Sequence, residues 1–576
     1  MTVPRPLWFC ASVIFSLAVA VMTPASMITR LLVHFAYHFL FLIFALWTLL
    51  LVREFLPDFV RRIRPHLPAL VLCVALMTGI FTLSPPRMKV LPDETNLAGV
   101  SMMMHHDKTA VIPAEGFVFN GEIELIRSDL DKRPFLYPFL ISIVHAVIGY
   151  DCHNGFIVNF LAGILILFSI YGLIIRFLPG EFGIVAILLT AGMPIFPIYV
   201  TTGGFEAVNI LFLILTCLFF IRTLQTRSAS HLGLLLLTLV LLSQCRYESI
   251  VFTLAFIALV PFIRKRMPLL APTRILIFLP VFYLPVVWQR MLFIHAAQDS
   301  ADRFGGAIAG AQAFSPDFFL ENISRNLSFL LGAFPDLGIS PVVSLTAALG
   351  AYLIVRQWLR NPGGIRFETR VVLAYGMLTG ISLLLLLSSC RLCDYSGFSG
   401  NRFSVVFLPY LAIVSTYGIH CLAERFRWPA RRVLIPLCLF HLVFFWPLGA
   451  QERLIKNHPF YYEYQKILNR IETAATGQED ILVIAQRPNL YIVNKTGAVT
   501  FHYANRNREV IADWFRQGID RIFVIQSYDA ETDRLLVPTR LDPAYRLKPL
   551  DTIKAGWGKS VVKISEVTAI DPAPNP

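Results

Sequence analysis

The chain is built from apolar runs of about 16 to 22 residues joined by short basic links, and this pattern limits its folds more than any other feature. Runs such as Leu31–Val52, Gly155–Ile175 and Val371–Leu387 reach or approach the roughly 20 residues needed to cross a hydrocarbon core. With 56% hydrophobic and only 15% charged side chains in 576 residues, most segments have no polar face to show to water. The chain is therefore expected to be an all-α polytopic membrane protein. The net charge of +13 would suggest nucleic acid in a soluble protein. Here Lys and Arg collect in the links, as in cytoplasmic loops, and no basic stripe with interleaved aromatics stands elsewhere, so no nucleic-acid partner is expected. Six of the nine cysteines (Cys10, Cys73, Cys217, Cys245, Cys421 and Cys438) lie inside apolar runs as small hydrophobes and set no disulfide framework.

Testing each run against membrane thickness and each link against the positive-inside bias predicts about 13 transmembrane helices. The first, near Leu7–Met22, has an alternative as a signal peptide cut after Ala18-Val19-Ala20. The link 53–66, with Arg53, Arg61, Arg62 and Arg64, is assigned to the cytoplasm, so the run Leu67–Leu83 emerges outside. Residues 134–149 are apolar but only 16 long and are read as a helix lying in the outer interface or dipping into it. That reading keeps the links with Arg222 and Arg227, with Arg264, Lys265 and Arg266, with Arg356, Arg360, Arg366 and Arg370, and with Arg425, Arg427, Arg431 and Arg432 inside. Residues 1–66 form two additional helices and a basic link. Residues 67–450 form the transmembrane core, with an extracytoplasmic loop 85–133. Residues 451–576 form a small extracytoplasmic α/β domain, with strands at 481–485 and 521–525 and a helix at 509–518.

The loop 85–133 carries the candidate chemistry. Asp93-Glu94 stands near its start and Lys132-Arg133 at its end, so one polar stretch supplies a proton acceptor and cations able to hold a phosphate. Acidic residues also suit a first helical turn, and Lys-Arg also anchors a helix at headgroups. In the derived topology Glu206, Arg246 with Glu248, and Arg402 fall at outer ends of spans, where charge is kept mainly when paired, hydrated or used. His105-His106-Asp107 is not expected to hold a metal, because consecutive side chains rarely converge on one ion. Cys390 and Cys393 could close a small disulfide. Asn322-Ile323-Ser324, Asn326-Leu327-Ser328 and Asn494-Lys495-Thr496 fit the glycosylation acceptor triplet.

These motifs, in this order, resemble the GT-C superfamily of membrane glycosyltransferases, in particular the bacterial lipid A aminoarabinose transferases and the related protein O-mannosyltransferases. Asp93-Glu94 is similar to the Asp-Glu pair of those families. Lys132-Arg133-Pro134-Phe135-Leu136-Tyr137 resembles their Lys-Pro-Pro-Leu-Tyr motif, with Arg133 and Phe135 as departures. Arg246-Tyr247-Glu248 resembles an Arg-Pro-Glu turn, Arg402-Phe403 through Leu408-Pro409 an Arg-Tyr-Leu-Leu-Pro stretch, and Glu206 stands where an Asp is usual. The resemblance implies an inverting transfer of a sugar from a polyprenyl-phosphate donor to a lipid, glycan or protein acceptor at the outer face of a bacterial inner membrane. It implies Asp93 as general base, Glu94 and Glu206 orienting acceptor or sugar, and Lys132, Arg133 and Arg402 on the donor phosphate. Arg246 and Glu248 would be a supporting pair. No cofactor is certain; members differ in metal use, and hard ligands for Mg2+ or Mn2+ stand only among carboxylates near Asp93. The rival reading is a transporter or flippase for a lipid-linked glycan, which internal repeats would favour and this sequence lacks.

Overall fold

A computed structural model describes residues 5–89, 91–119, 122–263, 279–299, 315–332, 338–360, 366–391, 393–395, 400–456, 459–475, 480–536, 540–554 and 560–571. The basic link Arg264, Lys265 and Arg266, the start of the run expected near Ile275, and the Pro-rich end beyond Asp571 lie outside the described residues. The chain divides into two compact units. The first comprises Met1–Pro86, Lys132–Tyr137 and Phe156–Arg453, and the second Arg87–Asp131, Pro138–Gly155 and Leu454–Pro576.

The first unit is helical. Across the described residues, seven helices are long and apolar enough to cross a membrane: Ala25–Phe55, Phe59–Leu83, Asn154–Ile174, Glu206–Thr226, Pro341–Arg360, Phe367–Ser388 and Asn401–Phe426. This chain is an integral membrane protein. Shorter apolar helices such as Gly180–Gly192 and Ala229–Ser243 pack among them. On the Ala25–Phe55 helix, Leu32, Leu40, Ile43 and Trp47 are buried while Phe35, Phe41 and Leu49 stay exposed, the division expected of a helix with protein on one side and lipid on the other. The Trp47 indole nitrogen, which must keep a partner when buried, donates to Thr238 Oγ1 at 2.9 Å and ties this helix to Ala229–Ser243.

Two helix breaks matter for function. The apolar run 183–200 is not one helix: it stops at Gly192 and resumes at Ile195, because Pro194 holds the preceding Met193 in an extended conformation. The second break is at Arg246, whose backbone is extended (φ −149°, ψ 142°) between the Ala229–Ser243 helix and the turn that opens Ile250–Ile263.

The second unit corrects the expectation that 85–133 is a loop of the core and that residues from 451 build their own sheet. Helix Leu91–His106 is followed by β1 (Val111–Phe119) and β2 (Glu122–Leu130). These join β3 (Ile481–Ile484), β4 (Gly497–Val499), β5 (Arg521–Asp529), β6 (Tyr545–Lys554) and β7 (Ser560–Ile570) in one mixed seven-stranded sheet of order β2-β1-β4-β3-β5-β7-β6. β3 pairs in parallel with β4 and β5, and the remaining pairings are antiparallel. The sequence carries one signal for the hairpin, the dipeptide Asn120-Gly121, which is a strong two-residue turn pattern. Leu482, Ile484, Ile522 and Val524 pack with Ile511 of the Arg508–Gln517 helix to form the core of this unit.

In the first unit, the Pro341–Arg360 and Leu408–Phe426 helices touch backbone to backbone. A Cβ on Gly350 would stand 2.1 Å from the Val414 carbonyl oxygen, and one on Gly418 2.2 Å from that of Thr346. Small residues are what permit such approach in a membrane, where packing rather than water exclusion holds helices together. Gly350→Ala should therefore destabilise the protein by about 1–3 kcal/mol, the usual cost of overpacking. Gly79→Ala, where the added methyl meets nothing within 4 Å, should not. Thermal unfolding of both variants in detergent checks this.

Candidate active site

In the first unit the site is assembled around Arg246. The helix break exposes a side chain that then folds back into the protein, leaving only 3% of it accessible. A guanidinium does not deprotonate in a protein, so burial demands compensation. Arg246 Nη2 pairs with the Glu248 carboxylate, and Arg246 Nη1 donates to the Arg402 carbonyl oxygen at 3.4 Å. Its guanidinium carbon also lies over two rings, 4.6 Å from the Phe403 centroid and 5.5 Å from that of Phe205.

Those contacts bring three of the expected stretches together. Phe205 precedes Glu206, the buried first residue of the Glu206–Thr226 helix. The 201–205 turn before it is held by Asn159, whose Nδ2 donates to the carbonyls of Thr202 at 2.6 Å and Gly204 at 2.8 Å. Glycine at 204 leaves room for the Glu206 carboxylate: a Cβ there would lie 2.2 Å from Glu206 Oε2. Arg402 is half-buried in a short turn fixed by a hydrogen bond from the Tyr199 hydroxyl to Asn401 Oδ1.

The Lys132-Arg133 segment joins the same neighbourhood through its backbone. The Tyr247 hydroxyl donates to the Lys132 carbonyl, Gln289 Nε2 to that of Arg133 at 2.6 Å, and Leu136 N to the Gln244 carbonyl at 3.0 Å. Lys132 is exposed and Arg133 is buried. The unit thus collects Glu206, Arg246, Glu248, Arg402, Lys132 and Arg133, a set able to bind and neutralise a phosphate beside a carboxylate. Asn159, Gln244 and Gln289 were not foreseen, since nothing distinguishes a neutral polar residue within or beside an apolar helix by sequence alone, and Tyr247 stood out only as the middle of Arg246-Tyr247-Glu248. Cys390 and Cys393 do not form the small disulfide that their spacing allows. The Cys393 thiol is pushed up, by its hydrogen bond with Cys390 first and then by burial, with Glu248 among the charges it meets.

In the second unit, Asp93 and Glu94 fall in the first turn of the Leu91–His106 helix, where carboxylates complement the helix dipole. Asp93 is half-buried and Glu94 is buried. Both Glu94 oxygens accept from the Lys89 backbone N–H, at 3.0 and 3.1 Å, so this carboxylate fixes the chain that leads into the helix. Lys89, missed in the sequence, is itself buried. Burial pushes its ammonium down to about 7, against the pull of Glu94 and with a smaller contribution from Arg87. Asn489 Nδ2 donates to Asn96 Oδ1 at 2.6 Å and braces the same helix.

Among the described residues, one group of three metal-ligating side chains lies within 4.8 Å: Asp151, Cys152 and His153. Consecutive residues do converge there, contrary to the rule applied to His105-His106-Asp107. Among the described residues Asp93 and Glu94 belong to no such group, and Glu94 is engaged at the helix start.

The chain resembles the GT-C membrane glycosyltransferases. The particular likenesses agree. The family described as dolichyl-phosphate-mannose-protein mannosyltransferase matches residues 132–288. The crystal structure of ArnT from Cupriavidus metallidurans bound to undecaprenyl phosphate aligns with a TM-score of 0.54 at 12% identity, covering 88% of this chain and 99% of that one. The apo state of the same protein aligns at 0.52 and 13%, covering 86% and 97%. No curated protein sequence gives a significant match.

Two outcomes are expected. Arg246→Met should cost up to about 3–5 kcal/mol by leaving the partly buried Glu248 carboxylate without its ion partner, and adding Glu248→Gln should recover most of that loss in thermal unfolding. For Lys89, the folded-state value near 7 lies below the ordinary 10.5, so between these pH values the unfolded chain binds the extra proton. Stability should rise with pH across that window. Lys89→Met should be more stable than wild type at pH 7 and should flatten the profile, as followed by unfolding at pH 7, 8 and 9.

Proposed function

We propose that the protein is a polyprenyl-phosphate-sugar-dependent glycosyltransferase of about 13 spans, working at the outer face of a bacterial inner membrane. The observation that carries this reading is the grouping of Lys132, Arg133, Glu206 and Arg402 around the buried Arg246–Glu248 pair. The fold shared with ArnT, which binds undecaprenyl phosphate, supports a lipid phosphate as the donor's anchor.

In the proposed reaction the Asp93 carboxylate takes the proton from an acceptor hydroxyl or amine as that atom attacks the anomeric carbon. The bond from that carbon to the phosphate oxygen breaks with inversion, and the electron pair leaves on polyprenyl phosphate. Lys132, Arg133 and Arg402 stabilise the charge that develops there. Glu206 orients the sugar or acceptor. Glu94, through its bonds to the Lys89 backbone, positions the helix turn that carries Asp93. Arg246 and Glu248 hold the Arg402 turn against the Phe205–Glu206 turn. The acceptor is a lipid, a glycan or a protein.

The test uses purified protein with a labelled polyprenyl-phosphate sugar and membrane extract as acceptor, read as release of free polyprenyl phosphate. Asp93→Asn should lower turnover about 100- to 10,000-fold, the usual worth of general-base help, with donor binding nearly unchanged. Wild-type turnover in this variant would remove Asp93 from the chemistry. Movement of the intact donor across vesicles without release would identify a transporter instead.

A further inference from the structure

The turn 149–153, between the Leu136–Ile148 and Asn154–Ile174 helices, holds three side chains that the transfer chemistry does not use: Asp151, Cys152 and His153. Their ligand atoms all lie within 4.8 Å of one another. His153 Nδ1 stands 2.9 Å from Asp151 Oδ1 and 3.4 Å from Cys152 Sγ. The His153 backbone N–H also donates to Asp151 Oδ1 at 2.7 Å, an ordinary turn before a helix, and that bond accounts for the place of the carboxylate. It does not account for a fourth donor, which comes from another part of the chain. Cys152 Sγ lies 3.3 Å from Oδ1 of Asn494, 342 residues further on.

The Asn494 amide is held with that oxygen toward the sulfur. Its Nδ2 donates to the Tyr464 hydroxyl at 2.6 Å and to the Leu490 carbonyl at 3.0 Å, and a carbonyl can only accept, so the nitrogen faces the protein. The turn is fixed against the same segment, since the Tyr150 hydroxyl donates to the Val493 carbonyl at 2.6 Å and Asn154 Nδ2 to the Gly149 carbonyl at 2.8 Å. All of these residues belong to the second unit.

Ligand atoms on one tetrahedral ion, at bond lengths of about 2.0–2.3 Å, stand about 3.3–3.6 Å apart. The observed separations of 2.9, 3.3 and 3.4 Å come within about half an ångström of that spacing. One imidazole nitrogen, one sulfur and two oxygens make a borderline set, suited to Zn2+ rather than to Mg2+ or Ca2+, which favour oxygen throughout. Charge agrees. A carboxylate and a thiolate bring two negative charges, against about half a positive charge from the helix that starts at Asn154. Asp151 and His153 are exposed, so an ion can enter from solvent.

We propose that Asp151, Cys152, His153 and Asn494 form a binding site for one divalent cation of the zinc type, taken up as the Cys152 thiol gives its proton to solvent. The bound ion clips the turn 149–153 to the turn at Asn494 and makes the stability of this unit depend on metal. The site uses none of the residues assigned to sugar transfer.

The experiment uses the full-length, untagged protein in detergent, stripped with a chelator and reloaded with Zn2+ or Co2+. Wild type should retain about one zinc ion per chain after desalting, read as metal content, and Zn2+ should raise its unfolding temperature by several degrees where the same concentration of Mg2+ does not. Co2+ should give thiolate-to-metal charge-transfer absorption, which a site made of carboxylates alone cannot produce. Cys152→Ser should abolish that absorption and weaken zinc retention at least about tenfold, and His153→Ala, at an exposed residue that the fold can absorb, should weaken retention by a similar factor. Cys10→Ser, at an exposed thiol elsewhere, should change neither readout. A wild type that shows no charge-transfer absorption with Co2+ overturns the proposal whatever the variants do. Absorption and zinc retention that persist undiminished in Cys152→Ser overturn it as well.

Discussion

A guanidinium that cannot shed its charge has been placed inside a bundle of apolar helices, and the arrangement of the first unit follows from satisfying it. Arg246 interrupts its helix, so its backbone can turn and its side chain can reach inward. The partners it requires lie on other elements: Glu248 in the following turn, the Arg402 carbonyl in the 401–404 turn, and the Phe205 and Phe403 rings. Removing water from a charge in this way is costly unless the compensation is complete. The same compensation brings three helix ends to one place and fixes them there. Under the proposed function this rigidity orients the cations before a phosphate arrives.

Much of this could be read in the sequence because charge is expensive in an apolar chain. Glu206, Arg246, Glu248 and Arg402 stand out against runs of Leu, Ile and Phe, and the topology read from Arg-rich links puts them at one side. What could not be read was how the chain pays no attention to linear order. Asn159 and Gln289 act through amide groups that look ordinary in sequence, and Lys89 looks like one more loop lysine until its burial and its backbone bond to Glu94 are seen. The break at Pro194 is legible from the residue type, although the apolar run continues through it.

The second unit shows a different limit. The strands at 481–484 and 521–529 were legible from short Ile- and Val-rich runs, and so was the helix between them. The hairpin at 111–130 was not assigned, since its strands carry Glu115, Glu124, Arg127 and Asp129 and resemble a solvated loop. Its role becomes evident only through pairing: Gly116 lies opposite Ala498, and the Glu115 carboxylate accepts the Thr500 backbone N–H at 3.2 Å. Local pattern identifies a strand; which distant strand completes the sheet is a tertiary fact.

That sheet has a consequence for how the protein is made. The hairpin leaves the ribosome about 350 residues before β3, which at roughly 5–20 residues per second is a delay of some 20 to 70 seconds. During that interval β1 shows an unpaired edge to its surroundings, the kind of surface that recruits foreign strands. The charged side chains of β2 and the register shifts near Pro113 and Glu115 then serve as protection for a nascent edge, keeping it soluble until its own partner is synthesised.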